Sequence, residues 1–305
     1  MADQPYGRIL DGQEAVAQRA YERFMAQPVD QEVENNGGYP YPEHETTLAG
    51  AAVVTGPGTF FGRAQRTLTF EPCSEGGWWF DRRDVVQSLP IHVAVTNVWT
   101  THRNIVLCSG SPHNYMRMVE HIIALRLGMG LDNLVIRMDS GDPPLFDRSS
   151  SDLLEAIEEA GVVEQERPPV YVTVREPVTV VGHHGNFLTF LPPEDEKRHL
   201  HIDCALDFNS AIGKQRIRFP VTAETFARGA GARTNTTLLT MLYCKTLGQI
   251  FADTRNLGYT LRNILVAGPR RYVNQPRLMP EGKSLEAAWH RATLDLLAAG
   301  APTDR

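Results

Sequence analysis

The 305-residue sequence contains only four cysteines, which lie far apart and form no CxxC motif (Cys73, Cys108, Cys204, Cys244). This usage excludes a disulfide framework and a zinc ribbon, and it predicts reduced thiols in a cytoplasmic protein. No apolar run approaches the roughly 20 residues that a membrane-spanning helix needs. The first residues also lack the basic-then-apolar pattern of a signal peptide. The net charge of −6 predicts no nucleic-acid partner.

Several catalytic motifs are also missing. Gly56-Pro57-Gly58 is rich in glycine, but no Lys-Ser/Thr pair follows it, so it is not a phosphate-binding loop. The sequence contains neither a Gly-x-Ser-x-Gly nor an HExxH motif. Histidine, by contrast, occurs ten times and raises the question of a metal site.

The chain divides into three predicted regions. Residues 1–45 form an extension with one helix (Glu14–Gln27) and a linker, and we expect the helix to dock on the rest of the chain or on a partner protein. The charged, proline-rich segment Glu164–Pro169 separates a first α+β domain at 46–166 from a second at 167–305.

Both halves show strand patterns followed by helical patterns, which predicts two α+β halves with helices packed on antiparallel sheets. Ser111 and Pro112 provide a start signal for a first helix that ends at Gly128. The other predicted helices are Ser151–Ala160, Leu238–Thr254 and Leu285–Ala299. The predicted strands are Ala51–Thr55, Gln65–Glu71, Trp78–Asp81, Ile91–Asn97, Asn104–Cys108, Leu134–Met138, Val170–Thr173, Val178–Val181, Phe187–Phe190, His201–Leu206, Gln215–Phe219 and Asn263–Val266.

Three groups of residues are chemical candidates, and each has a plainer interpretation. Glu120-His121 is either a general base beside a metal ligand or a solvated helix flank. His183-His184-Gly185 either binds a metal or, more plainly, forms a hairpin turn between two strands. Glu286 and His290 are four residues apart on one helix face, where they could bind a metal or form a solvent-side ion pair.

Several motifs in a fixed order carry a family resemblance. The sequence resembles the UDP-3-O-acyl-N-acetylglucosamine deacetylase family, the zinc amidase of lipid A synthesis. That resemblance covers about residues 46–303 and implies two similar α+β domains with helices sandwiched between outer sheets. The motifs are Thr55–Gly58 with Gly62, Met118–Leu125 (MVEHIIAL), Gly130–Leu134 (GLDNL), Pro144–Ser149 (PLFDRS), Ala232-Arg233-Thr234 and Gly258–Asn263 (GYTLRN).

The resemblance also implies roles for individual residues. Glu120 matches the family's general base, His121 a zinc ligand, and Thr234 a residue that stabilises the oxyanion. In the family the other two zinc ligands come from a late H-K-x-x-D-x-x-G-D-L helix.

A gap-free alignment of that helix, anchored on both sides, shows the main departure from the family. It places Ala287 at the histidine ligand and Arg291 at the aspartate ligand, while Asp295 keeps the last acidic position. Phe60 and Asn235 replace further family residues, and the chain ends before a late segment that supplies another catalytic histidine.

These replacements predict a degraded zinc site without a metal, because His121 alone cannot hold the ion. Arg291 would then pair with Glu120. We expect a protein that binds an acylated UDP-sugar, or a partner protein through residues 1–45. One alternative is an active zinc deacetylase with His290 and Glu286 as replacement ligands. A third is a metal-free hydrolase built on Glu120 with His102 or His113.

Overall fold

A computed structural model describes residues 5–34, 42–59, 64–101, 104–193, 200–247, 258–279 and 282–300, with side chains described to residue 297. The helices are α1 (Glu14–Met25), α2 (Glu120–Gly128), α3 (Ser151–Ala160), α4 (Ala223–Gly229), α5 (Leu238–Lys245) and α6 (Glu286–Gly300). The strands are β1 (Arg8–Asp11), β2 (Gln31–Glu32), β3 (Thr46–Leu48), β4 (Ala52–Pro57), β5 (Gln65–Pro72), β6 (Trp78–Arg82), β7 (Ile91–His92), β8 (Val98–Thr100), β9 (Val106–Cys108), β10 (Tyr115–Arg117), β11 (Leu134–Met138), β12 (Val162–Glu164), β13 (Val178–Val181), β14 (Phe187–Phe190), β15 (His201–Phe208), β16 (Gly213–Pro220), β17 (Thr234–Thr237) and β18 (Ile264–Ala267).

A five-stranded sheet with the order β4-β5-β11-β6-β7 forms the body of the first half. Strand β11 pairs antiparallel with β5 and parallel with β6. Alternate residues of these strands are buried, for example Leu134 and Ile136 of β11 and Trp78 and Phe80 of β6. One face of the sheet therefore points into the core, as the period of two predicts.

The second half is built on the long antiparallel hairpin of β15 and β16, to which β2 adds in parallel. A second sheet joins β1, β13 and β14, and the parallel pair β17 and β18 forms a third. Within the described residues, strands between 46 and 164 pair only with one another. The strands after residue 167 pair with one another and with those of the N-terminal extension.

Helices α2 and α6 pack against each other between the two halves. One hydrophobic core runs from Phe70 of β5 through Ile122 of α2 and Trp289 of α6 to Phe219 of β16. The α+β architecture with helices between sheets is thus confirmed. The domain boundary at residue 166 stays a prediction.

The N-terminal extension docks on the second half of the chain. Arg216 of β16 is almost fully buried and donates hydrogen bonds to the carbonyl oxygens of Phe24 and Gln27, just at and beyond the end of α1. The same guanidinium lies 4.0 Å from the centre of the Phe24 ring and forms a two-pronged ion pair with Asp203. A buried cation with these partners holds the extension firmly against the sheet.

Many predicted elements agree with the structure to within two residues, but the helix predicted from Ser111 is wrong. The chain makes a turn after Ser111 and then forms β10, which pairs antiparallel with β9. Met118 has a φ of 52°, a left-handed conformation that no helix interior accepts, so α2 begins only at Glu120.

Other predicted elements also differ. The strand predicted at Val170–Thr173 is absent from this described segment, and Ile91–Asn97 forms a strand only at its first two residues. The helix predicted at Leu238–Thr254 is described only as α5, and its remainder from residue 248 lies outside the described residues.

Candidate functional site

Glu120 and His121 are the first two residues of α2, where the helix meets the second half of the chain. The Glu120 carboxylate accepts a hydrogen bond from the backbone N–H of Ile105 at 2.5 Å. Burial raises the pKa of Glu120, while this hydrogen bond acts in the opposite direction. Glu120 therefore fixes the chain before β9 and stands next to the candidate metal ligand.

His121 lies between two hydroxyl groups. Its Nε2 is 3.3 Å from Thr234 Oγ1 at the start of β17, and its Nδ1 is 3.4 Å from Ser150 Oγ. Burial lowers the pKa of His121 to about 4, so the ring is neutral at pH 7. The neutral imidazole is also the form that binds metals.

The structure brings His290 of α6 to the same place. The two imidazole rings are 5.2 Å apart between centres and inclined by 31°. His290 is buried, and its Nδ1 has no hydrogen-bond partner. Burial, together with His121 and Arg291, holds the pKa of His290 well below its usual value. Two neutral rings, one with an unsatisfied nitrogen, thus face each other at the junction of the halves.

Glu286 lies one turn before His290 and is fully buried. Its oxygens accept hydrogen bonds from Nε and Nη2 of Arg233 at 2.7 and 2.9 Å, and one also accepts from the Arg233 backbone N–H. The expected solvent-side ion pair of Glu286 and His290 is wrong, because both side chains are buried and Glu286 is committed to Arg233. The pair links the residue before Thr234 to the first turn of α6.

Ala287, Arg291 and Asp295 form a different stripe on α6, about 100° around the helix from the stripe of Glu286 and His290. Ala287 packs beside Ile212 in a small separate cluster, and Arg291 forms an ion pair with Asp295 at 3.0 Å. The expected pairing of Arg291 with Glu120 is therefore not what the structure shows.

Asp295 belongs to this second stripe and not to the site. It is paired with Arg291 and accepts a hydrogen bond from the buried thiol of Cys204. Burial raises the pKa of Asp295, and both Arg291 and the thiol act against that rise.

The position one turn after His290, on the same face of α6, is occupied by Leu294. A carboxylate there would give α6 a His-x-x-x-Asp pair on the face that carries His290. Among the described residues, no group of three or more His, Cys, Asp or Glu side chains could hold a metal ion. Since a catalytic zinc takes about three protein ligands, the donors present do not fit this ion.

A cleft opens beside His121 and Thr234, with about 510 Å³ of empty space including the solvent at its mouth. Its lining is mostly apolar, with a few hydroxyl and amide groups, of which Thr234 lies against His121. The lining residues are Thr59, Met118, His121, Ile122, Pro143, Pro144, Leu145, Phe146, Ser149, Leu153, Thr234 and Asn263.

Two residues of this lining have strained backbones. Met118 has a φ of 52° and Ser149 a φ of 59°, conformations that are uncommon for residues other than glycine. Strain of this kind collects at ligand sites, where the surrounding structure holds it in place. This points to the cleft as a binding site independently of the metal question.

Other candidate residues lie elsewhere. His183 and His184 occupy the hairpin between β13 and β14, as predicted, and His113 is exposed in the turn between β9 and β10. Phe60 and His102 lie outside the described residues. Sequence reasoning missed Ser150, which has no motif signal of its own beyond its place after Ser149.

Comparisons with known proteins agree with the motifs. A sequence model of the UDP-3-O-acyl N-acetylglycosamine deacetylase (LpxC) family matches residues 45–297. Curated UDP-3-O-acyl-N-acetylglucosamine deacetylases from Brucella ovis and Brucella abortus are 27% identical to this chain over 263 residues. The one from Brucella melitensis is similar to the same extent. Each match covers 85% of this chain and 87% of the relative.

Proposed function

Since the chain belongs to the UDP-3-O-acyl N-acetylglycosamine deacetylase family, we propose that it binds an acylated, nucleotide-linked sugar in the cleft beside His121 without hydrolysing it. The observation that carries this proposal is the donor set. His121 and His290 face each other, but Leu294 stands where a third ligand would be on the same helix face. Zinc lowers the pKa of bound water from ~16 to about 7, and without that shift Glu120 has no hydroxide to generate.

The cleft supports a ligand with an apolar part and a polar part. Met118, Leu145 and Phe146 contribute apolar surface to its lining, and His121 and Thr234 contribute neutral polar groups that lie against each other. An acyl chain beside a sugar amide has this division of polarity.

The experiment measures zinc content, ligand binding and hydrolysis on the same preparation. We expect well under one zinc per chain, saturable binding of a UDP-3-O-acyl-N-acetylglucosamine by calorimetry, and no release of acetate. Leu145→Glu, which puts a charge in the cleft, should abolish binding. Val86→Glu, at a surface position that is 89% exposed, should not. About one zinc per chain, or acetate release that Glu120→Ala removes, would contradict the proposal.

The second candidate is an active zinc deacetylase in which His290 replaces the family's histidine ligand. The unsatisfied Nδ1 of His290 beside His121 favours it. Glu120 would then act as base and Thr234 at the oxyanion. This candidate predicts tight zinc binding that both His121→Ala and His290→Ala abolish. Glu286, the other proposed replacement ligand, is already held by Arg233.

A protein partner bound through residues 1–45 has less support, because the described part of this extension is bound to the second half through Arg216. We place the protein in the cytoplasm because none of its four cysteines forms a disulfide. Within the described residues, no helix is long and apolar enough to cross a membrane.

A further inference from the structure

Helix α5 exposes an unusual amount of apolar surface. Leu238, Leu239, Leu242 and Tyr243 are all at least two-fifths exposed, and Leu239 reaches 79%. Leu247, two residues after the helix, is also exposed. Single exposed leucines are ordinary on a protein surface, but a run of this density is not.

These side chains form one continuous face. Met241 points inward and packs against Ile264 and Val266 of β18. At about 100° per residue, the exposed apolar residues span an arc of about 140° that begins beside Met241 and ends at Tyr243. The apolar side of α5 is thus wider than the strip that packs on its own sheet.

The sequence around α5 is basic, although the whole chain has a net charge of −6. Between residues 234 and 279 the sequence has six basic residues and one acidic residue. Arg262, two residues before β18, is 83% exposed and lies 4.0 Å from the Asp147 carboxylate. Arg270 and Arg271 are exposed just beyond the end of β18, which pairs with the end of β17 where α5 begins. Arg270 and Arg271 therefore lie near the end of the apolar face at which α5 begins.

We propose that α5 and these arginines form a docking surface for an anionic lipid bilayer, with the leucines entering the interface and the arginines contacting lipid headgroups. An amphipathic helix binds membranes through buried apolar area together with attraction to anionic lipids, and neither contribution suffices alone. The basic charge of this region is complementary to anionic lipids. A face that docks only on an apolar protein surface would not need basic residues around it. The inference is independent of what the cleft beside His121 binds.

Vesicle flotation with the full chain tests it. We expect binding to vesicles of phosphatidylethanolamine with about a quarter phosphatidylglycerol, much weaker binding to phosphatidylcholine, and loss of binding at high salt. Arg270→Gln with Arg271→Gln should weaken binding by about fivefold per arginine. Leu239→Ser with Leu242→Ser should weaken it by at least about tenfold.

The matched controls are Val86→Ser and Arg175→Gln, at exposed positions in other parts of the chain, which should leave vesicle binding unchanged. Unaltered thermal unfolding of the surface variants confirms that they are folded. Wild-type protein that ignores anionic vesicles, or binds neutral ones equally well, overturns the proposal. The proposal also fails if light scattering shows that the wild type self-associates and the leucine substitutions abolish this without changing vesicle binding. The face would then bind a second copy of the chain.

Discussion

Leu294→Asp should create a zinc site in this protein. The substitution places a carboxylate four residues after His290, on the face of α6 that meets His121. Three ligands with one open position are the usual set for a catalytic zinc. We expect the variant to bind zinc at least about 100-fold more tightly than the wild type, which corresponds to about 2.7 kcal/mol.

The gain can be measured as a zinc-dependent rise in melting temperature. Zinc at 100 times its dissociation constant stabilises the folded state by about 2.7 kcal/mol. With an unfolding entropy of about 2.1 cal/mol/K per residue over 305 residues, this predicts a rise of about 4 °C. Without zinc the variant should be less stable than the wild type, because a half-buried leucine becomes an unpaired carboxylate beside two neutral rings.

Two control variants make the result specific. Arg291→Asp restores the acidic residue where the gap-free alignment places it, but that position faces Asp295 and Cys204, so we expect no zinc binding. Leu294→Asp combined with His290→Ala should lose the gain. Zinc binding by Arg291→Asp and not by Leu294→Asp would refute the reasoning from the helix face.

Three further predictions concern the support of the site. Glu286→Ala leaves Arg233 buried without its partner and should destabilise the protein by about 3–5 kcal/mol in denaturant unfolding. The lowered pKa of His121 predicts that metal-free protein loses stability as the pH falls from 6.5 towards 4, because the unfolded chain takes up the proton first; the full effect is about 3 kcal/mol. His121→Asn should flatten that part of the stability–pH curve, and an unchanged curve would show that the ring is not desolvated. Arg216→Ala should release the N-terminal extension, so that limited proteolysis cuts near Gln27 while the rest of the chain stays protected.

The fold was predictable from the sequence where local patterns act alone. Strands such as Leu134–Met138 and the helix Ser151–Ala160 are predicted with their observed bounds, because alternation and helical spacing there agree with the burial. The helix predicted from Ser111 is wrong because Ser-Pro is only a local signal. Pairing of Tyr115–Arg117 with β9 and the left-handed Met118 override it.

The site was predictable in part. The motif around Glu120 and His121 is contiguous, but the sequence predicts it inside a helix that begins at Ser111, whereas the structure places it in the first turn of α2. Which residue of α6 lies opposite His121 depends on the face that this helix turns towards it. Two stripes about 100° apart are both compatible with the sequence. The structure distinguishes them: Glu286 and His290 lie on the face turned towards the site, where Glu286 pairs with the buried Arg233 next to Thr234.

Thr234 and His290 are held in place around His121 by contacts within the protein, and this is the main reason to expect a ligand. The Arg233–Glu286 ion pair joins the residue before Thr234 to the turn before His290, so both groups are held against His121 without an ion. A neutral histidine pair with an unsatisfied nitrogen costs stability, as do the left-handed Met118 and Ser149.

If the cleft had no ligand, relieving these costs should stabilise the protein and change nothing else. Ser149→Gly relieves the backbone strain but also removes the hydrogen bond that Ser149 Oγ donates to the Ala232 carbonyl, so its melting temperature should change little in either case. A loss of ligand affinity in the same variant would show that the strained lining is used for binding.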